Sequence, residues 1–205
     1  ASAGNAVDFG DLIGTRRGGS QGSINNTTRG VYGGGWANPG VSNVIQYLTF
    51  ASTGNMTSFG TIAGSYTGYQ PASCSSSTRG IFAGADSGGN NDQISYITIS
   101  SAGNTTDFGN LYNRFDGASG SGNATRGIFA QGYYGSSINV IQYITIASTG
   151  NATEFGACSN SSRLSSGSSN ATRSVINEGA ASSPYASNTM GYITIGTTGN
   201  TSDFG

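Results

Sequence analysis

In the segment NVIQYLTF, residues 43–50, large apolar side chains fall on both phases of a two-residue alternation. Ile45, Tyr47 and Thr49 point to one face while Leu48 and Phe50 point to the other, and Ile94, Tyr96 and Thr98 oppose Ile97 and Ile99 in the same way. A strand that is apolar on both faces belongs in a sheet packed between two other sheets, not in one with a wetted side. Two more strand signals flank it, RGVYGG before and NMTSFG after, joined by stretches dense in Gly, Ser and Asn. Helical periodicity is absent throughout.

The group recurs along the chain. Phe-Gly closes it at Phe9, Phe59, Phe108, Phe155 and Phe204, with spacings of 50, 49, 47 and 49 residues. Arg29, Arg79, Arg126 and Arg173 keep step inside TTRGVYGGG, STRGIFAGA, ATRGIFAQG and ATRSVINEG, and so do Tyr47, Tyr96, Tyr143 and Tyr192 in the following strand. Three markers in register predict stacked units that bury their apolar faces against one another. The units are 11–60, 61–109, 110–156 and 157–205, in one repeat domain, with residues 1–10 as an extra terminal strand.

Turn chemistry marks the joints between strands. STGN at 148–151, with near copies at 3–5, 52–55, 102–104 and 197–200, predicts a hairpin tip of about four residues whose Gly and Asn tolerate positive φ. NNTTRG, SSSTRG, GNATRG and SNATRS predict a tight turn that delivers its Arg as the first residue of the next strand. Asp8-Phe9-Gly10 and Asp203-Phe204-Gly205 would compete for one place in a closed four-unit ring. That duplication favours an oligomer, a filament or an excised piece of a longer array over a closed monomer.

Composition narrows the function classes. With 35 Gly, 10% aromatic and 8% charged residues in 205, the chain reads as ordered and all-β. Eight Arg, no Lys and no His stand against nine acidic residues, and a net charge of -1 offers no basic field for nucleic acid. No run of roughly 18 apolar residues predicts a membrane span. The start ASAGNAVDFG has neither Met nor a leader pattern, as in a processed, excised or incomplete chain. Cys74 and Cys158 occupy different places in their units, so a disulfide is not expected, and two thiols without His do not make a zinc site.

Without His or Lys the usual acid–base triads are excluded, and no enzyme activity, cofactor or metal is expected. Asp8, Asp107, Glu154 and Asp203 recur once per unit, one to a blade, which argues against a paired-carboxylate glycosidase. The four recurring arginines are expected to bond turn carbonyls or a neighbouring unit's carboxylate, and the recurring Tyr and Phe to pack between units. Recognition is expected where the units differ, in segments 35–43, 85–93, 131–139 and 179–190 on one side of the array. There Trp36, Tyr133, Tyr134 and Tyr185 stand among Asn, Ser and Asp, a mixture suited to stacking on sugar rings. Nine N-x-S/T sequons, at Asn25, Asn26, Asn55, Asn104, Asn123, Asn151, Asn160, Asn170 and Asn200, are candidate glycosylation sites, though these residue types are common in turns.

The order of Arg16, Arg114 or Arg163, a small-residue strand, VYGGG or IFAGA, the Tyr strand, a hairpin and an aromatic resembles the Kelch repeat of β-propellers over the whole chain. The resemblance implies four-stranded blades, about four of them, in a propeller or an open propeller-like array. The glycine pair is complete only in the first unit, and Tyr lies 12 residues from the following Phe, longer than in usual Kelch repeats. More narrowly, TRGVY-GG with NVIQYITIASTGNATEFG resembles repeats in phage virion structural proteins, cyanophage tail-fibre chains especially. It implies a structural or adhesive protein of a virion surface or extracellular appendage, with copies of itself and cell-surface glycan as partners. A lectin-like propeller is the alternative; a copper-oxidase Kelch enzyme fails for want of His ligands.

Overall fold

The structure is a computed structural model and describes residues 4–20, 24–63, 70–85, 92–179 and 188–205. It is an all-β, four-blade β-propeller, built from four antiparallel four-stranded sheets. Blade 1 holds β1 (Ile24–Asn25), β2 (Arg29–Gly33), β5 (Val44–Thr49) and β6 (Thr57–Thr61), with a small hairpin of β3 (Trp36–Ala37) and β4 (Gly40–Val41) between β2 and β5. Blade 2 holds β7 (Ala72–Ser75), β8 (Arg79–Ala83), β9 (Gln93–Thr98) and β10 (Thr106–Asn110). Blade 3 holds β11 (Ser119–Gly122), β12 (Arg126–Tyr134), β13 (Ser136–Thr145) and β14 (Thr153–Ser162), and blade 4 holds β15 (Ser166–Ser169), β16 (Arg173–Asn177), β17 (Met190–Thr194) and β18 (Ser202–Asp203). The first strand of each blade is innermost, and all four line an axial cavity of about 330 Å³ through Asn25, Cys74, Ser75, Gly120–Gly122 and Gly167–Ser169. Small residues there let the blades converge: a Cβ on Gly120 would collide with the Ser73 backbone.

The two-faced alternation of the third strand organises the core. Each blade turns a forward face to the next blade and a rear face to the previous one. The forward face of blade 1 (Ile24, Val31, Ile45, Tyr47, Phe59) packs on the rear face of blade 2 (Phe82, Ile97, Ile99). Blade 2 repeats this with Ile81, Ile94, Tyr96 and Phe108 against Phe129, Ile144 and Ile146 of blade 3. Blade 3 does so with Ile128, Ile141, Tyr143 and Phe155 against Ile176, Ile193 and Ile195 of blade 4. Each fully buried Ile or Phe contributes about 1.5–3 kcal/mol of burial, so these three joints hold most of the apolar stabilisation. Among the described residues no such cluster joins blade 4 to blade 1.

The TRG turns begin β2, β8, β12 and β16 at their arginines. The STGN turn differs from expectation: in blade 1 the connection between β5 and β6 runs over residues 50–56, longer than a hairpin tip requires. The extra length reaches the preceding blade. Gly150 N–H donates to the Phe108 carbonyl (2.7 Å), Ala152 N–H to Asn110 (2.8 Å), and Asn151 Oδ1 accepts the Asn110 N–H (3.0 Å). Gly199, Thr201 and Asn200 grip Phe155 and Ala157 identically, and Asn104 with Thr105 grips Thr61. Phe is followed by Gly because the next turn arrives there: at Gly109, φ +143°, a Cβ would strike the Gly150 carbonyl. In blade 1 the same grip is filled by the terminal segment, Gly54 N–H meeting the Phe9 carbonyl (2.7 Å) and Asn55 Oδ1 the Asp11 N–H (2.9 Å).

A second chain of contacts crosses the blades at their other end. Gln70 N–H donates to Gly18 (2.6 Å), Gly117 N–H to Gln70 (3.3 Å) and Leu164 N–H to Gly117 (2.8 Å), linking the segments that enter successive blades. All four residues share φ near +60°.

Candidate functional site

The recurring arginines sit at the joints. Arg29, Arg79, Arg126 and Arg173 lie over Tyr47, Tyr96, Tyr143 and Tyr192 at 4.4–4.7 Å. Each Tyr meets Phe59, Phe108, Phe155 or Phe204 edge-on at 5.8–6.1 Å. Three of the arginines then reach into the next blade: Arg29 Nη1 donates to the Ile99 carbonyl (3.1 Å), Arg79 to Ile146 and Ala147 (2.9 and 2.8 Å), and Arg126 to Ile195 (2.8 Å). Their partners are carbonyls at the start of the neighbouring turn. Arg173 is exposed and has no such partner among the described residues.

The carboxylates are spread out. Asp107, Glu154 and Asp203 occupy the outer strands of different blades, and Asp8 lies in the terminal segment, its Oδ1 accepting the Gly10 N–H (3.0 Å) as Asp203 accepts Gly205 (3.1 Å). Among the described residues no three His, Cys, Asp or Glu side chains could hold a metal ion, and no helix is long and apolar enough to cross a membrane. Cys74 and Cys158 are free and buried in different blades. Burial pushes the Cys74 thiol up to about 12; burial, then the charge of Glu178, raises Cys158. Glu178 is itself buried, accepting the Asn160 N–H (3.1 Å), the Thr201 hydroxyl (2.6 Å) and the Ser159 hydroxyl. Its carboxylate fills the space above Gly191, where blades 1 and 3 carry Gln46 and Gln142. Those glutamines hold the entering chain: Gln46 Oε1 accepts the Ile13 N–H (2.6 Å) and Gln142 Oε1 the Tyr112 N–H (2.8 Å).

The described variable segments, 35–43 and 131–139, project opposite the STGN turns, as antiparallel order requires. Segment 35–43 folds as the β3–β4 hairpin. Segment 131–139 is no loop: β12 and β13 extend through it past a bulge at Gln131, φ +61°, whose amide donates to the Asn160 and Glu178 carbonyls (2.9 and 3.0 Å). Most of 85–93 and of 179–190, with Tyr185, lies outside the described residues.

Trp36 and Tyr133 hold equivalent places, paired through the backbone with Arg17 and Asp116. Each described aromatic carries an arginine: Arg17 over Trp36 (5.6 Å), Arg163 over Tyr133 (5.0 Å) and Arg114 over Tyr134 (4.4 Å), which is 53% exposed. Arg163 enters from the following unit, so one platform spans a joint. Such a pair offers an apolar ring beside guanidinium donors, able to stack on a sugar and donate to its hydroxyls or carboxylate. The sequence shows these arginines but not their stacking: in the Arg16-Arg17 pair the second caps Trp36, while the first bonds the Ser42 hydroxyl. No protein-family model matches the chain, and neither does any curated protein.

Proposed function

We propose that the chain is a non-catalytic, Kelch-like structural and adhesive repeat of a virion surface or extracellular appendage, similar to the repeats of phage tail-fibre chains. One observation carries this reading: the recurring Arg, Tyr, Phe-Gly and STGN residues are spent on joints between blades, leaving the varied side for recognition. It works by assembly and by presenting that side, without cofactor, metal, nucleic acid or membrane. Cell-surface glycan is the ligand class that suits the arginine-capped Trp36, Tyr133 and Tyr134.

A dedicated carbohydrate-binding propeller is the second reading, favoured by the half-exposed Tyr134 platform. A glycan array tests the shared claim. Binding is expected, and Trp36→Ala with Tyr134→Ala should weaken it at least about tenfold. Absence of binding, or full retention in the double variant, refutes the glycan assignment. Electron microscopy of the native particle separates the two readings: an appendage repeat is found as part of an assembled structure, a lectin as separate molecules.

A further inference from the structure

The three internal joints define what each blade face accepts, and two faces remain without it. On the forward face of blade 4, Val175 and Tyr192 are half-buried, Phe204 is 48% exposed, and a cleft of about 330 Å³ opens between Ser168, Ser169, Asn170, Arg173, Val175 and Phe204. On the rear face of blade 1, Tyr32 and Leu48 are half-buried and Phe50 is 48% exposed, at the places where Phe82, Ile97 and Ile99 of blade 2 are buried.

Among the described residues the polar contacts of a joint are likewise missing here. Arg173 lacks the carbonyl that Arg29, Arg79 and Arg126 find, which by equivalence is that of Phe50. Gly205 has nothing within 4 Å where Gly109 and Gly156 meet the next turn. The relay from Gly18 through Gln70 and Gly117 ends at Leu164 without returning to Gly18. The place on the 50–56 turn that Phe204-Gly205 would need is held by Phe9-Gly10.

We infer that these two faces are the halves of a fourth joint made between copies of this chain: blade 4 of one copy takes blade 1 of the next. Arg173 then donates to the partner's Phe50 carbonyl, and Asp203-Phe204-Gly205 replaces Asp8-Phe9-Gly10 of the partner subunit on its 50–56 turn. The exchange swaps one Asp-Phe-Gly for another, so little contact energy separates the two states. Because the faces differ, the contact is heterologous and each added copy exposes a fresh one, giving a larger ring or a filament. A hydrophobic face with one arginine at its rim fits another blade of this repeat better than an unrelated partner, since three such joints already exist in the molecule.

The inference rests on the appendage reading, and sedimentation velocity over a wide concentration range tests it separately. The wild-type chain should grow in size with concentration. Phe204→Glu and Phe50→Glu, both exposed and away from Trp36 and Tyr134, should each weaken association about tenfold or more. Arg173→Glu serves if either fails to fold. An equal mixture of the two variants should stop at a heterodimer, since each keeps one good face. A wild-type monomer at every concentration, as an internally closed ring would give, overturns the inference; so does association untouched by the substitutions, or a mixture that forms no dimer. Such failure leaves glycan binding intact, whereas loss of glycan binding alone would strike the recognition side and not this joint.

Discussion

Replacing Arg126 by Ala should cost far more than replacing Arg173, although both occupy the same place in the repeat. Arg126 Nη1 donates to the Ile195 carbonyl at 2.8 Å, and its guanidinium lies 4.6 Å over Tyr143. A hydrogen bond from a charged donor contributes about 1.5–3 kcal/mol, and a cation–π contact at a partly exposed site about 0.5–1 kcal/mol. With half-burial as a discount, Arg126→Ala should destabilise by about 2–3 kcal/mol, or a Tm lower by roughly 5–10 °C for a chain of this size. Arg173 has the stack at 4.4 Å but no carbonyl in the next blade, so only the stacking contribution is lost, about 0.5–1 kcal/mol. Arg79, with two carbonyls, should exceed both. Thermal and urea unfolding by circular dichroism, on chain dilute enough to be monomeric, gives the comparison. Equal losses for Arg126→Ala and Arg173→Ala would show that the interblade bond adds nothing and would refute the clasp.

Gly109→Ala places a methyl group into the Gly150 carbonyl at φ +143° and should destabilise by at least about 2–3 kcal/mol. Gly103→Ala, which meets nothing within 4 Å, should stay within about 0.5 kcal/mol in the same urea titration. Burial pushes the Cys74 thiol from the ordinary value of 9.0 up to about 12, so between these limits the unfolded chain holds fewer protons. Stability should therefore be intact below pH 9 and fall as pH rises, by about 1.4 kcal/mol per unit for each thiol, and Cys74→Ala should remove one thiol's share while the likewise raised Cys158 keeps its own.

The sheet architecture was legible because alternation at 43–50 is a local signal: both faces are apolar, and only packing on both sides satisfies that. The inner strands were legible only through the Kelch resemblance. Ser119–Gly122 has no β-branched or aromatic residue, and it is extended because neighbouring backbones press on it from both sides. STGN announced a turn, yet not its grip on the outer strand of the preceding blade, a contact 43 residues or so away along the chain. Segment 131–139 looked like a loop because the units differ there and Gly, Ser and Asn interrupt its apolar residues; the Gln131 bulge, bonded to the next blade, lets both strands run on. Which arginine of a pair stacks on Trp36 is a question of strand phase that composition does not hold.

The grip of each STGN turn on the Phe-Gly before it has a consequence for how such a chain changes over generations. Every unit carries both halves of the contact, a turn that holds and a strand end that is held. A crossover between two misaligned copies of the gene segment therefore inserts or deletes a unit whose surfaces already match both neighbours. Array length becomes a free variable of descent, while the loops opposite the turns diverge without disturbing the register that carries them.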